Sequence, residues 1–384
     1  MMTRGRSPTG AGLPKNTETR GSGGRVRAAR AVPVAENDPA QRLRNAALAV
    51  IALGVILVGL VYGRGFLMPL AIAILLWNLL GAVIERFAQI RVGEFQLPRW
   101  FAALLGVAVV VLGLYVIQSI LLGQVDAISA AWPRYMNRLE SIVGDLTQWL
   151  GAEQSAKLKQ VIMSIDLTRR VAGVVSSAQS LVVSLLLILA YVGFLFVESA
   201  YMRQKILAMF PDETRAREVS SILAAVSESV RRYIWIKTVV STLTGVASYA
   251  VLKALGIDFA ATWALLIFLL NFIPNIGSIV AVSFPALVAL VQFDTLGPFV
   301  ILVLSLTAIQ IMIGSVLEPM LMGQTLNMSP LAIILSLAFW GTIWGIVGMF
   351  LSVPIMVLVM IVCAHIPSWR WVAILLSKDG RIEV

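Results

Sequence analysis

What most constrains this chain is a series of long apolar runs. About twenty consecutive apolar residues cross a bilayer as a helix, and runs near that length recur from Ala46 to Ala364. The first four are Ala46 to Tyr62, Phe66 to Ile84, Phe101 to Gly123 and Leu181 to Val197. A fifth spans about Thr238 to Gly256, and three further blocks cover Phe259 to Phe293, Pro298 to Leu317 and Leu331 to Ala364. With 59% hydrophobic and 13% charged residues and a mean hydropathy of +0.89, a water-soluble domain would lack the polar surface to cover itself. The chain therefore reads as an all-α polytopic membrane protein. Two blocks, Phe259 to Phe293 and Leu331 to Ala364, are too long for one simple crossing. This leaves about eight hydrophobic spans, or six spans plus two re-entrant helical hairpins.

The first long block carries the stretch FLLNFIPNIGSIVAVSFP, in which Asn271, Pro274, Asn275, Gly277, Ser278, Ser283 and Pro285 interrupt the apolar run. Pro285 alone would fit an ordinary kinked membrane helix, since Pro is common in such helices. Two Asn within the same turn are harder to house, because their amides need partners in hydrocarbon. The second block repeats the layout. At an offset of 69 residues, Ser352, Val353 and Pro354 stand over Ser283, Phe284 and Pro285, and the segment from Trp340 to Ile346 stands over Asn271 to Gly277. Each block is an apolar arm, a break, a second arm and a Pro, and each follows one ordinary span. If both blocks are re-entrant hairpins, a span plus a hairpin makes one net crossing, and the second copy is inverted. Inverted repeats with interrupted helices at mid-membrane are a plan of secondary transporters.

Charge sets the expected orientation. Residues 1–44 carry nine Lys/Arg against Glu18, Glu36 and Asp38, so much of the net +10 belongs to this tail. Its Gly/Pro/Arg/Thr-rich composition predicts disorder, and its basicity a cytoplasmic place, able to touch anionic lipid, rather than nucleic-acid binding. The loop with Arg64 alone then falls outside, while Arg86, Arg91 and Arg99, and the Lys/Arg of Ser199 to Lys237, fall inside. Both termini are then cytoplasmic. Amphipathic periodicity appears at Trp132, Tyr135, Leu139, Ile142, Leu146 and Trp149, and again at Ile222, Val226, Val230 and Tyr233. The expected organisation is a tail (1–44), a three-span region (45–123), an extracytoplasmic amphipathic segment (124–178), a fourth span with a cytoplasmic amphipathic helix (179–237), a transport region (238–364) and a cytoplasmic C-terminal tail (365–384).

The chemistry on offer is sparse. A single Cys (Cys363) and a single His (His365) give no disulfide within the chain and no Cys/His metal cluster. No phosphate-binding loop, HExxH motif or paired intramembrane Asp is present, so neither ATP hydrolysis nor proteolysis has its residues. The chain reads as a non-enzyme with no cofactor. Its candidate transport path is Asn271, Pro274, Asn275, Gly277, Ser278, Pro285, Gln310, Trp340, Gly345, Gly348 and Pro354, with Glu318 as the candidate for ion or proton coupling. Lys237 lies close to a span end, where its ammonium can reach the interface, and Glu318 near the cytoplasmic face. Amides, hydroxyls and carbonyls, rather than a buried ion pair, are expected to handle a small polar solute, with Na⁺ or H⁺ as coupling ions. A non-transporting membrane scaffold is the reading from another class.

The stretches FLLNFIPNIGSIVAVSFPALVAL and LEPMLMGQTLNMSPLAIILSLAFWGTIWGIVGMFLSVPIMVLV resemble the two signature regions of the AI-2E (autoinducer-2 exporter) transporter family, and the resemblance covers nearly everything after residue 45. The first motif falls on Pro274, Gly277 and Pro285. The second falls on Glu318, Pro319, Gly323, Pro330, Trp340, Gly341, Gly345, Gly348 and Pro354. Asn275 stands where the family often has an aromatic residue. The resemblance implies a multi-pass inner-membrane protein, homo-oligomeric with a pentamer as the candidate assembly. It implies elevator-like movement of a solute such as autoinducer-2 without ATP hydrolysis, or Na⁺(Li⁺)/H⁺ antiport in other members.

Overall fold

The computed structural model describes residues 39–88, 91–92, 95–96, 98–150, 167–322 and 327–381. The basic tail up to residue 38, residues 151–166 of the amphipathic segment and Gly323 of the second motif lie outside them. The chain divides into two compact units, Met1–Ile56 and Leu57–Val384. In the first, the described part of helix α1 (Pro39–Tyr62) is exposed along its apolar side chains, among them Leu48, Val50 and Ile51.

In the second unit a turn at Gly63 leads into α2 (Arg64–Ala88). A two-residue antiparallel ladder (β1 Arg91–Val92, β2 Phe95–Gln96) precedes α3 (Arg99–Gly123). Helix α4 (Val125–Leu150) lies within the segment 124–178 expected to be amphipathic, and α5 (Leu167–Met209) follows. After Pro211, Asp212 caps α6 (Glu213–Ala254) by accepting from the Thr214 amide at 2.9 Å. This 42-residue helix, about 63 Å long, fuses the amphipathic stretch around Val226 and the span from Thr238 into one rod. Among the described residues, six helices are long and apolar enough to cross a membrane. Outward-facing Leu186, Phe194, Ile301 and Leu304 suit a hydrocarbon solvent rather than water.

The first long block is an antiparallel hairpin of α7 (Ala260–Leu270) and α8 (Ile276–Gln292). Three cross-links along its length prove the reversal. At the tip, Gly277 lies so close to the Leu270 carbonyl that any Cβ there would overlap it. Midway, Trp263 stacks on Phe284 with ring centres 6.1 Å apart. At the base, the Gln292 side chain donates to the Gly256 carbonyl (2.7 Å) and accepts from the Asp258 amide (2.8 Å). With 11 residues, α7 is about 16 Å long, half the hydrocarbon thickness.

Helix α9 (Gly297–Gln310) continues through a π-helical stretch (Ile311–Leu317) into α10 (Glu318–Met322). The second long block, α11 (Pro330–His365), reverses at Gly345, whose φ of 63° and ψ of −142° only glycine adopts without strain. Gly348 approaches the Trp340 carbonyl as Gly277 approaches Leu270, and Ser336 Oγ donates to the Ser352 carbonyl at 3.1 Å. The paired glycines are thus 71 residues apart, while the prolines behind them keep the 69-residue spacing, so the second tip is two residues shorter on its returning side. Backbone pairing of Ser329 and Asn327 with Leu376 and Lys378, around α12 (Arg370–Leu376), closes the base of this hairpin.

Both hairpins pack on α6. The base of the first packs with Leu252 and its tip bonds Ser241. Met328, at the base of the second, and Trp344, near its tip, share one cluster with Val226 and Val230, and Trp344 donates to the Leu60 carbonyl at 3.0 Å. The tips pass one another where Phe272 packs on Phe350, 4.8 Å between ring centres.

Candidate functional site

The tip of the first hairpin is built from residues that cannot finish a helix. Pro274 supplies no amide donor, and Asn275 sits at φ 60° and ψ −56°, outside the basins that side chains favour. Asn271 caps α7, and its amide donates to Ser241 Oγ on α6 at 3.0 Å while the residue is 6% exposed. Ser241 belongs to a seam with Thr244, Gly245 and Ser248 on one face of α6. Gly245 lets the backbone of α7 approach at Ala264 and Phe268.

Facing this tip is a cavity of about 500 Å³. Asn271, Pro274, Asn275 and Ser278 form one wall, with Val282 and Ser283 behind them. Thr307, Gln310, Gly314, Ser315 and Glu318 form the opposite wall, and Lys237 enters from α6. The far wall exists because the helix widens over Ile311–Leu317, where the Glu318 amide bonds back to the Ile313 carbonyl. Such π segments are frequent at functional sites.

Six of the twelve residues singled out in the sequence therefore meet here: Asn271, Pro274, Asn275, Ser278, Gln310 and Glu318. Gly277 and Pro285 are buried in the hairpin and shape it without lining the cavity. Trp340, Gly345 and Gly348 form the tip of the second hairpin, and Pro354 lines a smaller apolar cavity behind the first tip, with Phe268 and Phe272.

The largest departure from the sequence reading is Lys237. Instead of reaching an interface from a span end, it is 4% exposed on an unbroken helix. Its Nζ donates to Glu318 Oε1 at 2.6 Å, the Glu318 side chain being 18% exposed. The cavity thus does contain a buried ion pair. The reason is local: α6 carries Lys237 into the interior, and the π turn delivers Glu318 to meet it. Removing one member of such a pair strands the other, at about 3–5 kcal/mol.

A second polar constellation sits at the base of the first hairpin. Arg134 on α4 pairs with Asp258, and Tyr135 Oη donates to the same carboxylate at 2.7 Å. Arg138 donates to the Asp294 carbonyl (3.1 Å) and lies 3.5 Å from its carboxylate. Partial burial, with the Asp258 contact, pushes the Tyr135 phenol well above its ordinary value. One helix thereby grips both ends of the hairpin. Among the described residues no group of three or more His, Cys, Asp or Glu could hold a metal ion.

Long apolar helices, two interrupted hairpins and a polar cavity at a hairpin tip define a multi-pass helical membrane protein on the plan used by secondary transporters. The profile of the family described as AI-2E family transporter matches residues 47–368, and the chain belongs to this family. It is similar to the AI-2 transport protein TqsA of Escherichia coli K12, with 28% identity over 342 residues, covering 86% of this chain and 96% of that one. A protein of Haemophilus influenzae, provisionally named a transport protein, is 28% identical over 344 residues, covering 87% and 97%. One of Borreliella burgdorferi, named in the same provisional way, is 34% identical over 246 residues, covering 62% and 65%.

Proposed function

We propose that the protein is a secondary-active transporter of the bacterial inner membrane, with both termini cytoplasmic, that exports a small polar metabolite of the autoinducer-2 kind. The observation that carries this reading is the cavity: its walls are the amides and hydroxyls of Asn271, Asn275, Ser278, Thr307 and Gln310, enough polar groups to replace the hydration of a small neutral solute. The name of the E. coli relative supplies the solute class. In this reading both hairpins are re-entrant, and the second is the inverted copy of the first. The first hairpin slides along the small-residue seam of α6 in an elevator-like motion, within a homo-oligomer.

The test is efflux of autoinducer-2 from a host stripped of its own exporters. Expression should raise the rate, and Asn271→Ala combined with Gly277→Leu should abolish the increase. An unchanged rate in that variant would remove the site assignment. One observation favours Na⁺(Li⁺)/H⁺ antiport as a second reading, namely the carboxylate of Glu318 inside the cavity. It predicts Na⁺-dependent pH changes in everted vesicles that weaken in Glu318→Gln; silence in the parent protein would eliminate it.

A further inference from the structure

Among the described residues lining the cavity, Lys237 is the single cation and Glu318 the single carboxylate. The other polar residues of the lining, among them Asn271, Ser278, Thr307 and Gln310, are amides and hydroxyls that all offer oxygen acceptors. A carboxylate set among neutral oxygens is the donor set that hard cations select. Interrupted membrane helices also hold a coupling Na⁺ or H⁺ beside the solute, on unwound backbone carbonyls and half-helix ends. Here that position is filled from within the chain: the Lys237 ammonium donates to Glu318 at 2.6 Å, on a residue 4% exposed. Its stem is fixed by α6, between buried Ile236 and Val240, so the charge is held in place by the same helix that receives the hairpin tip at Ser241.

We infer that Lys237 is a tethered substitute for a dissociable cation: it neutralises Glu318 in the place Na⁺ would take, so the site works without bound Na⁺. Deleting the side chain should turn it into a Na⁺ site. The π turn supports this, since it presents Glu318 to α6 rather than to the lipid side, and the geometry that brings the carboxylate to the ammonium would equally bring it to a free cation. The inference deepens the transport reading and takes from it only that this cavity is the solute site; cation occupancy stands or falls without any solute.

The test uses the purified full chain in detergent, with NaCl exchanged for choline chloride at constant ionic strength, and reads thermal unfolding and ²²Na⁺ binding. The parent protein should unfold at the same temperature in both salts and bind no saturable Na⁺. Lys237→Ala should gain saturable binding and unfold about 3 °C higher in NaCl at saturating Na⁺, or be recovered folded from NaCl alone. Lys237→Ala combined with Glu318→Gln, with no charge left to neutralise, should fold and be indifferent to the salt. Saturable Na⁺ binding by the parent protein, or a folded Lys237→Ala indifferent to Na⁺, would overturn the inference. So would failure to recover Lys237→Ala from any salt, or loss of the double variant in every salt, which would give Lys237 a packing role. Since no readout involves a solute, failed efflux alongside the expected Na⁺ behaviour would sink the transport reading alone.

Discussion

Gly277 and Gly348 show how narrowly single residues set this architecture. Each faces a carbonyl oxygen of the opposite arm, Leu270 or Trp340, with no room for a methyl group. Either change to Ala should destabilise the protein by about 1–3 kcal/mol, the usual cost of overpacking, read as a lower unfolding temperature in detergent. Gly297, with open space around its Cα, should tolerate Ala with no comparable loss. At Asn271, Leu would strand the buried Ser241 hydroxyl, costing about 1–3 kcal/mol. Adding Ser241→Ala should return part of that, and strict additivity in thermal unfolding would argue against the bond. The polar break was legible in the sequence because an Asn amide surrounded by apolar residues demands a partner, which named Asn271 and Asn275 before any fold was known. Lys237 was not, because its partner lies 81 residues away and proximity to a span edge is all that the local sequence carries.

At the scale of elements, the hairpins were readable and the helices between them less so. Apolar arms flanking a break, followed by Pro285 or Pro354, announced two similar units, while the reversal itself depends on contacts such as Trp263 on Phe284 that no periodicity encodes. The π-helical turn at Ile311–Leu317 had no sequence signal: the segment IMIGSVL reads as ordinary apolar helix, and only the register forced by packing widens it. The grip of α4 on the base of the first hairpin leads to a pH prediction. The Tyr135 phenol is neutral and held above its ordinary value in the fold, so its contribution is complete below about pH 10 and declines as pH rises further. Protection from hydrogen exchange in α4, taken relative to the intrinsic base-catalysed rate, should therefore fall above about pH 10, and Tyr135→Phe, lacking the titrating group, should remove that fall. An identical profile in the variant would assign the loosening elsewhere. Charge reversal at Arg138 should likewise speed exchange at Asp294 and its neighbours, and paired reversal with Asp294→Arg should slow it again.

For the whole molecule, composition and span length fixed the class: an all-α chain with outward-facing Leu, Ile and Phe has hydrocarbon as its solvent. Span counting alone could not separate a long crossing from a hairpin, since both preserve the same charge pattern across the membrane. What separated them was tertiary contact, with α7 too short to cross and Gly345 in a conformation that ends one helix and starts another. The two hairpins meet at Phe272 and Phe350, and the polar cavity lies against the first tip. The proposed transport requires this cavity to open in turn to either side of the membrane. The most direct measurement starts from the single, buried Cys363 replaced by Ala. A cysteine is then introduced at Ser278 and labelled with an impermeant maleimide in right-side-out and everted vesicles, with and without autoinducer-2. Labelling should then proceed from both faces, with the solute shifting the two rates in opposite directions. Labelling from one face only, whatever the solute, or protection from both, would contradict the proposed transport.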